Sequence, residues 1–344
     1  MMQVGLVTGH RRIELKDFPD PVPAPGKAVV QIACCGICGT DVHAYLSGEP
    51  YNPAICGHEW CGTVSAAGAG VGVKEGDRVA IGIAPPCGRC GSCGRGDSEH
   101  CEAAFAGLIG AGPLAAPHGG FAPAIAIDAG RLYPVEAGLD DAQGAMLEPA
   151  TIALHAVRRT PLRLGDSVVV LGAGPIGLLV LQCARAAGAG TIVLVEPEPS
   201  RRALARTLGA DLVVDPTAED VAEQVQRHLG VAGADVVFEC AGVPATIEAA
   251  VSLARRGGAV SLVGVPSGPS QIHGASWLVR EIRLVTSLGY QREEFALTQS
   301  LVLDGRLNLQ PLHTSTVGLT AMGDAFEALS RSPSEVKILV DPRQ

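Results

Sequence analysis

The pattern of apolar positions changes character part-way along the chain. Before Leu139, short β-like runs alternate with turns: residues 28–33 (AVVQIA) follow a PAPGK turn, residues 62–65 form another run, and residues 78–81 (RVAI) follow Glu75-Gly76-Asp77. Helical periodicity is scarce there, which predicts a compact, mostly antiparallel β domain with long loops. After Leu139, strands and helices alternate. A helix is expected over 140–158, strands at 167–171, 191–195, 212–214, 235–238 and 259–263, and helices at 176–187, 201–208, 218–229 and 244–255. Short apolar strands separated by helices imply a doubly wound parallel sheet covered on both faces, hence an α/β fold. Past Leu288 the regularity fades into helices at 295–303 and 321–329 and a last strand at 337–340.

A chain of 344 residues has room for two cores. With 47% apolar and 18% charged residues, and with 44 glycines and 24 prolines spread along its length, it is neither disordered nor collagen-like. The net charge of -9 gives no positive field for nucleic acid or an anionic membrane. The longest apolar run, residues 168–181, holds Gly172, Gly174, Pro175 and Gly177 and falls short of the roughly 18 residues a membrane span needs. The opening MMQVGLVTGHRR places its charges after its apolar stretch, unlike a secretion signal. A cytoplasmic protein acting on a small molecule is expected.

One turn carries a specific signal. The run Val168–Leu171 leads into Gly172-Ala173-Gly174-Pro175-Ile176-Gly177 and then into a helix. The first glycine suits the tight turn, the second lets backbone approach a pyrophosphate, and the third lets helix and strand pack closely. The helix N-terminus adds free N–H groups for the phosphates. Glu196, at the end of the next strand, can bind the adenosine ribose hydroxyls of NAD and would repel the 2′-phosphate of NADP. Arg201 and Arg202 open the following helix and could reach such a phosphate, but they stand further from the strand tip.

Cysteines add a second signal. Nine of the eleven precede residue 102, a clustering that favours metal or catalytic use over disulfides in a reducing compartment. Cys183 and Cys240 lie in apolar surroundings and read as core. Cys87, Cys90, Cys93 and Cys101 form C-x2-C-x2-C-x7-C, a set able to close an all-sulfur tetrahedral shell around a structural zinc. An iron–sulfur run would place its fourth cysteine differently and follow it with proline. A nucleic-acid zinc ribbon would carry basic residues where Asp97, Glu99 and Glu102 stand. A more dispersed set is Cys38, His58, Glu59 and Glu148, which could keep one position open for substrate, as a catalytic zinc does. On spacing alone, Cys34, Cys35, Cys56 and Cys61 compete for the same role.

Taken in order, CGICGTDVH, GHEWCGTV, GDRVA, the four-cysteine lobe, EPATIALHAV, GAGPIG, FECAG and VGVP make the chain similar, over essentially its whole length, to the zinc-dependent medium-chain dehydrogenase/reductase family of alcohol, sorbitol and threonine dehydrogenases. The resemblance implies a GroES-like catalytic domain from residues 1–149 and 287–344, with its zinc lobe at 87–101, around a Rossmann domain at 150–286. It implies one catalytic and one structural zinc per chain. Cys38 and His58 would be firm ligands, Glu59 and Glu148 would fill the remaining positions, and Asp41 would orient His58. Thr40 and His43 match a proton relay, and Gly172, Gly174, Pro175, Ile176, Gly177, Glu196, Arg201 and Val265 would bind the cofactor. Where liver-type alcohol dehydrogenases carry a cysteine ligand this chain has Glu148, and Gly39 follows Cys38 in place of a larger basic residue. Both departures point to the polyol, threonine and butanediol branch.

The implied reaction is hydride transfer between a secondary alcohol, polyol or amino-alcohol and NAD. The alternative is an NADPH-dependent carbonyl reductase using the same residues. A zinc-stabilised binding protein would have no need of Thr40 and His43 as a relay. Tyr45, Tyr51, Phe105 and Trp277 are candidates for a pocket, and the family suggests a homo-dimer or homo-tetramer.

Overall fold

The computed structural model describes residues 1–331 and 334–344. They divide into two units: Met1–Glu148 with Gly289–Ser300 and Leu312–Gln344, and Pro149–Leu288 with Leu301–Pro311.

In the first unit, β1 (Met2–Gly9) and β2 (Arg12–Phe18) form an antiparallel hairpin. There follow β3 (Lys27–Gly36), α1 (Gly39–Ser47), β4 (Glu59–Ala67), β5 (Arg78–Ile81), α2 (Gly91–Gly94), α3 (Glu102–Leu108), β6 (Ala124–Asp128) and β7 (Leu132–Pro134). Helix α4 (Asp141–Arg158) leads into the second unit. That unit alternates regularly: β8 (Ser167–Leu171), α5 (Pro175–Ala186), β9 (Thr191–Val195), α6 (Pro199–Thr207), β10 (Leu212–Val214), α7 (Val221–Leu229), β11 (Ala234–Glu239), α8 (Pro244–Leu253), β12 (Ala254–Leu262), α9 (Gly274–Arg280) and β13 (Arg283–Thr286). The chain then runs through α10 (Arg292–Leu303), β14 (His313–Gly318), α11 (Met322–Arg331) and β15 (Lys337–Asp341).

The first unit is built on a sheet ordered β14-β15-β3-β4-β5-β7, with β6 also on β3. Its pairings are antiparallel except between β14 and β15, which run parallel. β3 is almost wholly buried because β4, β6 and β15 all pair with it, and Trp60, Phe121 and Phe326 fill the core around it. The second unit is a parallel six-stranded sheet ordered β10-β9-β8-β11-β12-β13. The order reverses direction at β8, which leaves a crevice beyond its C-terminal end, where α/β sheets bind ligands. α5 is apolar nearly all round and buried from Gly177 to Ala184, as a helix covered by other elements must be.

The elements expected in the second unit all form, with ends displaced by a few residues at most except at β12, which leaves α8 directly at Ala254. The β1–β2 hairpin, α1, α9, β13 and β14 had no clear local signal. α1 is short, and β2 and β13 are largely exposed, so neither periodicity is strong.

Candidate metal and dinucleotide sites

Cys38, His58 and Glu59 come together at one end of the first unit's sheet, with a donor atom of each within 4.8 Å of the others. Cys38 caps α1: its sulfur accepts from Thr40 N at 3.5 Å, and its own N–H donates to Asp41 Oδ2 at 3.0 Å. The cap fixes the thiol at the helix N-terminus, where the dipole favours negative charge. His58 Nδ1 lies 2.8 Å from the Ile55 carbonyl, which leaves Nε2 for a metal. Cys34 and Cys35 on β3, Cys61 on β4 and Cys56 in the loop before β4 are buried outside this cluster. Cys34 Sγ donates to Asp141 O, and Cys56 Sγ accepts from Val7 N.

Asp41 lies beside His58 without hydrogen-bonding to the ring. Its carboxylate is 3.9 Å from His58 Nδ1, and the ring's direct partner is Ile55. Asp41 instead accepts from Cys38 N, Gly57 N and the Tyr51 hydroxyl, so it braces the backbone on both sides of the ligand pair. Burial holds its pKa above the usual carboxylate value despite these bonds.

Glu59 is buried and accepts a hydrogen bond from Lys337 Nζ at 2.6 Å; the same ammonium also donates to Ile37 O. Register explains the room: Gly36 on β3 stands between Glu59 on β4 and Leu339 on β15, and a Cβ at Gly36 would collide with Glu59 Oε2. Glu148 lies outside the cluster of three but is buried near it. Burial raises its pKa to about 7, with His58 opposing and Glu59 adding to the rise.

Thr40 Oγ1 is 3.7 Å from Cys38 Sγ. His43, one turn on and exposed, shares the α1 face with Thr40 because i and i+3 residues are neighbours on a helix.

The second set of donors is the lobe. Cys87, Cys90, Cys93 and Cys101 bring their sulfurs within 4.8 Å of one another without a disulfide. Backbone N–H groups of Cys93 and Glu102 pull the Cys90 thiol down to about 6. Four soft sulfurs so close, one already favouring thiolate, fit a tetrahedral zinc. The dispersed set, with sulfur, imidazole and carboxylate, fits zinc with an open position.

In the second unit, the glycine-rich turn follows β8. Gly172 has φ of 96°, a conformation that disfavours a side chain, and a Cβ on Gly177 would collide with the Gly172 carbonyl. A Cβ on Gly174 would meet nothing within 4 Å, so this backbone is free for a ligand to approach. Pro175 and Ile176 begin α5 behind it. Glu196 is buried at the end of β9; Oε2 accepts from Ala173 N at 2.7 Å and Oε1 from Glu198 N at 3.0 Å. Val265 is exposed beside the turn at Gly242, whose carbonyl accepts from Ser267 N. Arg201 is half-buried near the start of α6.

The aromatic candidates scatter. Tyr45 packs on Phe326 in the core and donates to Glu327, Phe105 is exposed on α3, and Trp277 packs against the core of the second unit. Only Tyr51, through Asp41, touches the metal cluster's support. Cys183 is core, whereas Cys240 is half-buried at the turn after β11. Sequence reasoning missed Lys337; a lysine opening the apolar run KILV was the available signal.

Residues 24–137 match the alcohol dehydrogenase GroES-like domain and residues 175–303 the zinc-binding dehydrogenase domain. (R,R)-butanediol dehydrogenase of Bacillus subtilis is 35% identical over 350 residues, 97% of each chain. The chain belongs to the zinc-dependent medium-chain dehydrogenase/reductases. Sorbitol dehydrogenase of the same organism is 33% identical over 275 residues, covering 77% of this chain and 76% of that one. A zinc-binding dehydrogenase structure from Sinorhizobium meliloti, bound to NADP, superposes with a TM-score of 0.84 at 32% identity over 99% of both chains. This dehydrogenase is therefore a zinc-type oxidoreductase of the alcohol and polyol class. None of its helices among the described residues is long and apolar enough to cross a membrane.

Proposed function

We propose that this dehydrogenase oxidises a secondary hydroxyl of a diol or polyol with NAD, giving the ketone, NADH and a proton. The observation that carries the reading is the sulfur–imidazole–carboxylate cluster of Cys38, His58 and Glu59, with Glu148 buried beside it in place of a second sulfur. Relatives named for butanediol and sorbitol support the substrate class. An amino-alcohol offers the same secondary carbinol.

Cys38, His58 and Glu59 would hold the catalytic zinc, with Glu148 near enough to exchange in, and the four-cysteine lobe would hold a second, structural ion. Zinc supplies Lewis-acid polarisation of the substrate hydroxyl, which lowers its pKa toward neutrality. Thr40, whose hydroxyl stands beside Cys38 Sγ, would accept the substrate proton while giving up its own, and the cofactor ribose and His43 would carry that proton to solvent. In the second unit, the Gly174 backbone and the start of α5 receive the pyrophosphate. Glu196 is held by two backbone N–H bonds and keeps lone pairs for both ribose hydroxyls. Val265 and Arg201 flank this site.

The second reading, an NADPH-dependent carbonyl reductase, draws support from the NADP-bound relative. Homo-oligomerisation is supported by the edge strand β13, where Leu284 is exposed together with Leu288 just beyond it and Leu278 and Val279 of α9.

The test is a steady-state screen of 2,3-butanediols, polyols and amino-alcohols with NAD and NADP, followed by nicotinamide absorbance. Turnover of vicinal diols or polyols with NAD is expected. Activity confined to carbonyl reduction with NADPH would establish the second reading.

A further inference from the structure

Arg202 is one of two arginines placed to bind an adenosine 2′-phosphate, and it is already engaged. Its guanidinium donates through one nitrogen to the Glu196 carbonyl, at 3.0 Å, and to the Pro197 carbonyl. The other terminal nitrogen lies 2.8 Å from Asp215 Oδ2. Both side chains are mostly covered, at 14% and 21% exposure, so the pair is less screened than a surface contact.

Asp215 itself is fixed. It follows β10, the strand parallel to β9, and its Oδ1 accepts from Thr217 N at 2.9 Å and Thr217 Oγ1 at 2.6 Å. Its own N–H donates to Glu219 Oε1. The carboxylate therefore stands at a defined point beside the tip of β9, where Glu196 emerges.

A phosphate monoester is bound tightly by guanidinium donors that are free to fork around two of its oxygens. Arg202 has the correct charge and neighbourhood but spends its donors on two carbonyls and a carboxylate. We propose that Asp215 determines cofactor choice in this dehydrogenase, by neutralising and anchoring Arg202 so that it cannot serve a 2′-phosphate. The proposal rests on the NAD reading given above and adds to it a residue that follows β10.

The experiment compares wild type, Asp215→Asn, Arg202→Ala and the double variant, with two readouts. One is kcat/KM for NADP relative to NAD. The other, independent of turnover, is calorimetric affinity for adenosine 2′,5′-bisphosphate against 5′-AMP, which differ only in the 2′-phosphate. Asn keeps the shape of Asp215 and an oxygen for Thr217. Asp215→Asn is expected to raise the NADP/NAD ratio and the bisphosphate affinity about tenfold each, the size of one charge-assisted hydrogen bond, with 5′-AMP affinity unchanged. Arg202→Ala added to that variant should abolish both gains. Arg202→Ala alone should leave the wild-type bisphosphate affinity unchanged, a result accessible even if Asp215→Asn folds poorly. Unaltered ratios in Asp215→Asn, gains that survive in the double variant, or weaker bisphosphate binding in Arg202→Ala alone would each overturn the proposal. The wild-type ratio alone tests the NAD reading: a preference for NADP there sinks that reading whatever the variants do.

Discussion

Lys337 Nζ lies 2.6 Å from Glu59 Oε2, and both side chains are almost completely buried, although the two residues are 278 positions apart in the chain. The pair brings the last strand of the dehydrogenase to its metal cluster. A buried pair need not stabilise on balance, because desolvation offsets its attraction, but removing one partner strands the other.

Lys337→Ala should therefore cost about 3–5 kcal/mol, read as a lowered urea midpoint of protein whose Cys38–His58–Glu59 site has been stripped of metal. Lys337→Met combined with Glu59→Gln, which removes both charges, should recover a substantial part of that loss. A single variant as stable as wild type would mean that water or a rearranged side chain compensates Glu59.

Metal analysis of purified protein should give two zinc ions per chain, and Cys38→Ser should retain only the tightly held one. Cys38→Ser should abolish turnover with little change in thermal stability. Cys90→Ser should mainly impair folding, since a structural zinc contributes folding free energy directly. Iron with inorganic sulfide in the lobe would contradict the assignment.

His43→Gln should lower turnover at neutral pH by roughly ten- to hundredfold, near the low end for a positioned acid–base group. The deficit should shrink at high pH, where solvent base takes the proton. A pH–rate profile superimposable on wild type would make His43 a surface residue without a catalytic part.

Asp235 gives a pH-dependent stability term away from the metals. Burial alone would raise its pKa, but hydrogen bonds from Ser167 N and Oγ and from Arg255 outweigh burial and leave it lowered. A carboxyl with a depressed folded-state pKa stabilises above its unfolded value, about 3.9, and loses that contribution as the pH falls through the folded value. The melting-temperature gap between wild type and Asp235→Asn should thus be full at pH 6 and close as the pH drops below about 4. A gap independent of pH would assign the effect to packing.

The sequence by itself determined the parts of this dehydrogenase whose physics is local. Alternating apolar strands and helices specified the doubly wound sheet, because each strand must be buried on both faces. Gly172, Gly174 and Gly177 marked the tight strand–helix turn through backbone sterics, and the spacing of Cys87, Cys90, Cys93 and Cys101 marked four sulfurs that the fold brings within 4.8 Å of one another. Tertiary structure decided what depends on strand register. On spacing alone Cys38 competed with Cys34, Cys35, Cys56 and Cys61, and the fold brings only its sulfur together with His58 and Glu59 among the described residues. His58 Nδ1 meets the Ile55 carbonyl three residues back, while Asp41 holds the same loop through Gly57 N. Lys337 and Asp215 carry no local motif. Lys337 reaches Glu59 from a strand distant in sequence, and Asp215 reaches Arg202 because β10 pairs beside β9, and strand pairing is a property of each sheet that no short window of residues encodes.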